Sequence, residues 1–316
     1  MARRNSTAEE NAEQILRDLE PVVEQEVNRH LAVAKEWFPH EYVPWGQGRD
    51  FEALGGEAWD PRDVKVSPES TEALLVNLLT EDNLPGYHRA IANIMGTEGP
   101  WGYWVNRWTA EENRHGIVIR DFLTVTRAID PVILERARMQ HMIGGYEADY
   151  GEKVLHGLAY VSFQELATRV SHRNTGRASG DELCEKMMQR VATDENLHMI
   201  FYRNLLAAAF EMEPNQTMRA ITDVVKGFQM PGYTIDGFLR KSVQIANAGI
   251  YDLRLHHDDV LMPVLRKWRV FEIEGLDDQG EKARTELSEF MDNLDGAATK
   301  FEERRAARKA RIAARA

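Results

Sequence analysis

Apolar residues along this chain recur with the spacing of an α-helix. From Pro21 to about Trp37 they return every three or four positions, as at Val23 and Val27, and proline suits the first turn of a helix. The preceding residues, 1–20, are polar and predict a flexible N-terminus. Because helical spacing continues over most of the chain, we expect an all-α fold.

A second periodic stretch runs from about Ser70 to Gly96. It contains Pro85, which predicts a kink or local bulge there. Residues 38–68 are rich in proline and glycine and predict a loop. Further helices are predicted at 101–127, 131–143, 152–175, 180–211, 215–228, 235–247 and about 281–313.

Since no low-complexity linker divides 70–275, we expect one helical domain over 21–275. A helical, basic tail follows at 276–316, with six cations between Glu302 and Ala316. These cations either face solvent near the negative end of a helix or bind an acidic partner.

Composition narrows the function classes. The formal charge of −12 argues against general nucleic-acid binding, because phosphate contacts need a basic surface. Cys184 is the only cysteine, so an intrachain disulfide is excluded and a reducing cytoplasm fits. The first residues lack the apolar core of a secretory signal, and no apolar run is long enough to span a membrane. We therefore predict a cytoplasmic protein without a membrane span.

Two short motifs carry the candidate chemistry. Glu112-Asn-Arg-His115 and Glu195-Asn-Leu-His198 each place a carboxylate and an imidazole three residues apart, hence on one face of a helix. Each pair interrupts an apolar stripe, where a charged side chain is expensive unless something neutralises it. A metal ion explains two such pairs better than chance does.

A dinuclear site needs two further carboxylates, and Glu81 and Glu165 fit. Glu81 precedes Glu112 by 31 residues, and Glu165 precedes Glu195 by 30. Thirty residues correspond to half a helix, a short loop and half a helix, which returns the chain to the same height. One Glu from each of two helices plus Glu-x-x-His from two others is the ferritin-like four-helix pattern. We expect such a bundle as the core, with additional flanking helices.

Four carboxylates and two imidazoles balance the charge of two ferrous ions. Mostly oxygen ligands favour iron, with manganese as an alternative, and disfavour zinc thiolate or copper sites. The two histidines need outer acceptors that fix their tautomers. Pseudo-symmetry assigns Asp194 to His115 and Glu111 to His198; the alternative is that both acids are plain surface residues beside a ligand.

These segments resemble the soluble acyl-[acyl-carrier-protein] desaturases, and specifically an actinobacterial branch. The resemblance rests on Thr-Glu-Asp-Asn-Leu-Pro (80–85), Trp-Thr-Ala-Glu-Glu-Asn-Arg-His-Gly (108–116), Ser-Phe-Gln-Glu-Leu-Ala-Thr-Arg-Val-Ser-His-Arg-Asn-Thr-Gly (162–176) and Asp-Glu-Asn-Leu-His (194–198). Weaker motifs extend it from about Pro21 to Phe271. Two departures concern the substrate: Leu166 stands where the plant enzymes have arginine, and the plant enzymes are longer between the first two ligand helices.

The resemblance implies that the six acids and histidines are iron ligands. It pairs Glu112 and Glu195 with their own histidines as terminal ligands and leaves Glu81 or Glu165 to bridge, although the sequence does not decide which carboxylates bridge. Thr168 matches a family threonine at the oxygen-binding side; it could instead bond its own helix backbone. The implied ligand set is Glu81, Glu112, His115, Glu165, Glu195 and His198.

Trp37 matches a family tryptophan linked through Asp194 and His115 to the iron, which implies an electron path. A tryptophan that only packs the first helix on the bundle is the alternative.

The implied activity is the dioxygen-dependent insertion of a cis double bond into an acyl chain on acyl carrier protein. A ferredoxin would supply electrons, and the protein would be a homodimer. Arg29 and Lys35 are candidates for a basic patch that binds the carrier. Candidates for the acyl channel are Met95, Trp104, Trp108, Phe163 and Met199.

Several rival functions share this ligand set. They are a di-iron hydroxylase or N-oxygenase, a ribonucleotide-reductase small subunit with Tyr202 as the radical residue, a ferritin-like iron-binding protein, and a relative that has lost turnover.

Overall fold

The computed structural model describes residues 5–147 and 153–314, and within them it contains helices and no strand. The all-α prediction is confirmed. The principal helices are α1 (Asn5–Val33), α2 (Pro68–Asp82), α3 (Leu84–Met95), α4 (Gly99–Val125), α5 (Pro131–Gly144), α6 (Val154–Ala178), α7 (Glu182–Met212), α8 (Pro214–Gly227), α9 (Phe238–Ala248), α10 (Leu253–Leu255), α11 (Met262–Trp268) and α12 (Asp278–Ala313).

Four of these helices, α2, α4, α6 and α7, form the bundle that holds the buried acids and histidines. Their starts follow from local capping: the Ser67 side chain accepts from the Ser70 amide at α2, and Asp181 accepts from the Cys184 amide at α7. The short turn before Asp181 brings α7 back along α6, and these two helices share a long packed interface. The ferritin-like bundle core is thus present.

The first helix is longer than predicted. It begins at Asn5 in the described part of the chain rather than at Pro21, so residues 5–20 are helical, whereas the expected flexibility of the N-terminus stays a prediction. Ile15 and Leu19 are buried and continue the apolar stripe of the later turns into the core. Burial of that stripe outweighs the penalty of a proline inside a helix, about 3 kcal/mol. Residues 1–4 lie outside the described chain.

Pro85 breaks a helix, as predicted, and the break is complete. The helix ends at Asp82 and a new one begins at Leu84, with Pro85 in its first turn, where a missing amide hydrogen does no harm. Glu81 therefore sits in the last turn of α2. The helix that carries Glu165 was predicted to start at 152, which falls outside the described residues; α6 runs from Val154.

The region after α9 is more helical than predicted. A π-helical segment, His256–Leu261, joins α10 to α11. The tail helix α12 packs on α8 through Ala283 and Leu287. Of the basic tail residues, Arg305 binds the body of the protein, at the Ala246 carbonyl and the Asp252 carboxylate. Across the described residues, every helix is too short or too polar to cross a membrane.

Candidate metal centre

Carboxylates and imidazoles from four helices meet inside the bundle. The last turn of α2 and the middle of α6 each supply one glutamate, and α4 and α7 each supply a Glu-x-x-His pair. No member of the set is more than 7% exposed, although carboxylates are rarely buried without a partner. The structure thus brings together all six predicted ligand residues: Glu81, Glu112, His115, Glu165, Glu195 and His198.

One group of ligand atoms surrounds His115 Nδ1. This nitrogen lies 3.1 Å from Glu112 Oε2 and 3.2 Å from Glu195 Oε1. Glu81 Oε2 is 3.8 Å away. Atoms of these four residues all lie within 4.8 Å of one another, a separation that one ion can bridge.

A second group surrounds His198 Nδ1, which lies 2.7 Å from Glu112 Oε1 and 3.6 Å from Glu165 Oε2. Glu195 completes it. Glu112 and Glu195 thus belong to both groups, whereas Glu81 and Glu165 belong to one each. This arrangement differs from the expected assignment of Glu112 and Glu195 as terminal ligands. The reason is geometric: the two oxygens of Glu112 are directed to different histidines.

The orientation of these atoms fits metal ligands better than a hydrogen-bond network. His198 Nδ1 and Glu112 Oε1 are 2.7 Å apart, yet neither makes a hydrogen bond among the described residues. Glu165 Oε2 and Glu195 Oε1 are also buried and unpaired. Leaving a buried polar atom unpaired costs about 1–3 kcal/mol. Four such atoms converging on two points are accounted for by cations, and the donor set suits iron or manganese.

The electrostatics of the cluster show the same need for cations. Burial, reinforced by the charges of Glu112 and Glu195, holds the pKa of Glu165 well above its usual range. Burial would also raise the pKa of Glu195, but hydrogen bonds from His115 and His172 outweigh it and bring that pKa well below the usual range. Without metal, protons on the carboxylates and positive charge on the histidines therefore offset the buried negative charge. Bound cations would take over that role.

Each ligand histidine turns its other nitrogen to an acid outside the ligand set. His198 Nε2 lies 2.8 Å from Glu111 Oε2, and His115 Nε2 lies 3.5 Å from Asp194 Oδ2. These are the partners that pseudo-symmetry assigned. The Trp37 indole donates to Asp194 Oδ2 at 2.7 Å, so the predicted chain from Trp37 to His115 is continuous in the structure.

Two buried histidines extend the site beyond the sequence prediction. His172 Nε2 lies 2.9 Å from Glu81 Oε1, and His30 Nε2 lies 3.0 Å from Glu111 Oε2. The signal for His172 was its position seven residues after Glu165, on the same face of α6. His30 continues the apolar face of α1. Neither residue belongs to a recognisable sequence motif. Only its position on the inward face of its helix could have identified it as part of the site.

Thr168 lies beside the cluster and donates from Oγ1 to Glu195 Oε2 at 2.8 Å. The same hydroxyl is also within reach of the Gln164 and Glu165 carbonyl oxygens, so the predicted site contact and the backbone alternative are both present.

An apolar cavity opens against the cluster; we call it the acyl cavity. It encloses about 860 Å³, its open mouth included, and Glu81, Glu112 and Glu195 form part of its wall. Of the five channel candidates, Met95 and Trp108 line it. Trp104, Phe163 and Met199 are core residues instead. Most of the apolar wall comes from residues that the sequence did not single out: Leu84, Tyr87, Ile91, Ile94, Tyr160 and Val161.

Comparison with known proteins bears on these features together. A family model described as fatty acid desaturase matches residues 11–315. A protein of Mycobacterium tuberculosis named acyl-[acyl-carrier-protein] desaturase DesA1 is 51% identical over 296 residues, which cover 92% of this chain and 88% of the relative. This chain belongs to the acyl-[acyl-carrier-protein] desaturase family. The X-ray structure of the desaturase-family protein DesA2 from the same organism has a TM-score of 0.70 at 29% identity, covering 83% of this chain and 97% of that one.

More distant members of the desaturase family differ in their named reactions. A palmitoyl 4-desaturase from Ophrys sphegodes is 30% identical over 324 residues, covering 95% of this chain and 86% of the relative. A stearoyl 9-desaturase from Gossypium hirsutum is 29% identical over 310 residues, covering 92% and 76%. Because these relatives are about equally similar, family membership leaves acyl length and double-bond position open.

Proposed function

We propose that this protein introduces a cis double bond into a fatty acyl chain attached to acyl carrier protein, with dioxygen as the oxidant at a di-iron centre. One observation carries the proposal. The acyl cavity is apolar along most of its wall, and three carboxylates of the cluster, Glu81, Glu112 and Glu195, close one side of it. An alkyl chain in that cavity would therefore lie beside the metal ligands.

Equivalent sets of residues would hold two ions. Glu81 and His115 would bind one ion and Glu165 and His198 the other. Glu112 and Glu195 would contribute to both, because among the described residues these two offer atoms to both groups. Bound iron would supply the chemistry that the side chains lack, namely the reduction of dioxygen and the oxidation of unactivated C–H bonds.

The residues of the chain position the substrate and keep the carboxylates in place. Each buried methylene contributes about 0.8 kcal/mol to binding, so an acyl chain gains affinity along the apolar wall. The Trp108 indole donates to Glu165 Oε1 at 3.0 Å and also lines the cavity, so it fixes one ligand and borders the substrate. Thr168 holds Glu195 in the same way.

The reaction also needs an electron donor. Removing two hydrogens from adjacent methylenes yields two electrons and two protons. An external donor supplies two more electrons and solvent two more protons, so that dioxygen leaves as two waters. We propose a ferredoxin as the donor and the chain Trp37, Asp194, His115 as the route. The guanidinium groups of Arg114 and Arg190 lie over the Trp37 ring and pair with Asp194, so they tie the first two members of this route together.

We further propose a homodimer in the cytoplasm. The support for a dimer is the exposed apolar face of α5, where Val132, Met139 and Ile143 are 52%, 65% and 77% exposed. Binding of the carrier protein near Arg29 and Lys35 stays a prediction. Arg29 forms an ion pair with Glu26 on the same helix, and no residue of α1 lines the acyl cavity.

Mass spectrometry of acyl carrier-protein substrates tests the reaction. Iron-loaded protein is incubated aerobically with palmitoyl or stearoyl carrier protein, a ferredoxin and its reductase. We expect a product about 2 mass units lighter, lost in His198→Ala and retained in Glu182→Gln, a change at an exposed acid of α7. A product about 16 mass units heavier would instead identify a hydroxylase. No product from protein that holds two irons would refute the proposal.

A further inference from the structure

A second cavity borders the acyl cavity near the cluster; we call it the side cavity. It lies between α2, α6 and α9, and the segment after α8 closes it through Met230 and Gly232. It encloses about 680 Å³, its open mouth included.

The two cavities share one wall. Thr80 on α2 and Thr168 on α6 line both of them, so the side cavity adjoins the space next to Glu81 and Glu195 at these two side chains. The Thr80 hydroxyl donates to the Val76 carbonyl at 3.0 Å, and the Thr168 hydroxyl donates to Glu195. A molecule that passes between the two threonines therefore arrives at the cluster without entering the acyl cavity from its mouth.

The side cavity also runs from the surface inward. Met230, Phe238 and Ser242 are partly exposed at its rim, whereas Thr168 and His172 are buried at its inner end. It is thus a passage rather than a closed void.

Its polar groups are already occupied. Ser171 Oγ donates to Asn77 Oδ1 at 3.2 Å, Asn77 Nδ2 donates to Thr175 Oγ1 at 3.2 Å, and Ser242 Oγ donates to the Leu239 carbonyl at 2.9 Å. The remaining walls are the apolar surfaces of other side chains, among them Val76, Met230, Phe238 and Ile245.

His172 Nδ1 is the exception, a buried nitrogen with no hydrogen-bond partner among the described residues. A buried water normally makes two to four hydrogen bonds, and apolar cavities stay dry and admit nonpolar gases. Because apolar side-chain surface forms most of its wall and most of its polar groups already have a partner, the side cavity favours a small nonpolar molecule.

We propose that the side cavity is the route by which dioxygen reaches the metal centre. The inference rests on the proposed function in naming dioxygen as the reactant that enters. In that function an acyl chain fills the apolar cavity along the cluster, so a small nonpolar reactant needs a second entrance. The side cavity provides one, with its inner end at Thr80 and Thr168.

Two substitutions test this route, one at the rim of the side cavity and one at its inner end. Ser242→Phe places a ring in the side cavity, and Val243→Phe adds the same ring one residue later, where the wild-type side chain is 51% exposed. Gly232→Ala is a second variant, because a Cβ there would lie 3.0 Å from Thr80 Oγ1 and would narrow the inner end. Gly232 has no left-handed backbone conformation that would forbid a side chain.

Crystals of metal-free protein under xenon pressure give the first readout, which is independent of any activity. We expect xenon in the side cavity of the wild type and of Val243→Phe, and none in Ser242→Phe. An absence of xenon from the wild-type cavity would overturn the proposal.

The oxidation rate of reduced, iron-loaded protein, followed against dioxygen concentration, gives the second readout and needs no acyl substrate. We expect Ser242→Phe and Gly232→Ala to raise the dioxygen concentration for half-maximal rate by about fivefold or more, with iron content unchanged. Xenon lost from Ser242→Phe while both variants keep the wild-type dioxygen dependence would refute this route. Because neither readout uses a carrier-protein substrate, failure of the desaturase assignment would be recognised separately.

Discussion

Glutamine substitution of two cluster glutamates distinguishes bridging from terminal ligands. Glu112 offers one oxygen to the His115 group and the other to the His198 group, whereas Glu165 belongs to the His198 group alone. Glu112→Gln should therefore weaken both metal positions, and Glu165→Gln should weaken one. Glutamine keeps the size of the side chain and removes the charge, so packing is preserved.

The expected magnitudes follow from mass action. A ligand present at 100 times its dissociation constant stabilises a protein by about 2.7 kcal/mol per site, and a site weakened about 100-fold retains about 0.4 kcal/mol. Metal should then stabilise the wild type by about 5 kcal/mol, Glu165→Gln by about 3 and Glu112→Gln by about 1. At about 2 °C per kcal/mol for a chain of this size, Tm should rise on metal addition by about 10, 6 and 2 °C.

Two assays follow the effect, both under anaerobic conditions with ferrous iron. At the same free iron concentration, elemental analysis should give about two ions per chain for the wild type, about 1.5 for Glu165→Gln and about one for Glu112→Gln, because a site weakened about 100-fold is then half occupied, and thermal unfolding should show the three shifts. Glu182→Gln, at an exposed acid, should behave as the wild type. If Glu165→Gln lost more iron than Glu112→Gln, the shared-ligand assignment would be refuted.

Three further predictions concern residues outside the ligand set. His30→Phe removes the hydrogen bond to Glu111, and we expect about 10–100-fold weaker metal binding at the His198 position, partly restored by His30→Gln, in metal titrations. Leu19→Ala should lower the free energy of unfolding by about 3 kcal/mol; a loss below about 1 kcal/mol in denaturant unfolding would contradict its place in the core. Burial lowers the pKa of His256 to about 4. The unfolded chain therefore takes up a proton there first, so stability is full above about pH 6.5 and falls as the pH drops towards 4. We expect a loss of about 2 kcal/mol between pH 7 and pH 5 in denaturant midpoints, and no such loss from this position in His256→Gln.

The helical fold and the candidate ligand set could be predicted from the sequence because both depend on local geometry. A Glu-x-x-His pair lies on one helical face in any fold, and the spacing of Glu81 and Glu165 from the two pairs repeats within one residue. Pro85 likewise marks a break wherever the helix is placed. The start of α1 was harder to predict from the sequence. Residues 5–20 are polar on average, and their apolar stripe stabilises a helix only when it packs against the bundle.

The remaining properties of the site depend on which helix faces pack against each other. His30 and His172 are 81 and 91 residues away in sequence from the glutamates that they contact, so no local pattern pairs them. No local pattern predicts the cavities either, because their walls combine residues from separate helices. Nor does one show that Trp104, Phe163 and Met199 lie in the core rather than in a cavity wall.

The sequence by itself determined a helical protein with two carboxylate–histidine pairs on inward faces, because hydrophobic periodicity and three-residue spacing are local properties of a helix. Only the tertiary structure decided that Glu112 and Glu195 are shared, that two further histidines adjoin the cluster and that two cavities reach it. Those features are distances between helices, and they are set by packing among residues far apart in the chain.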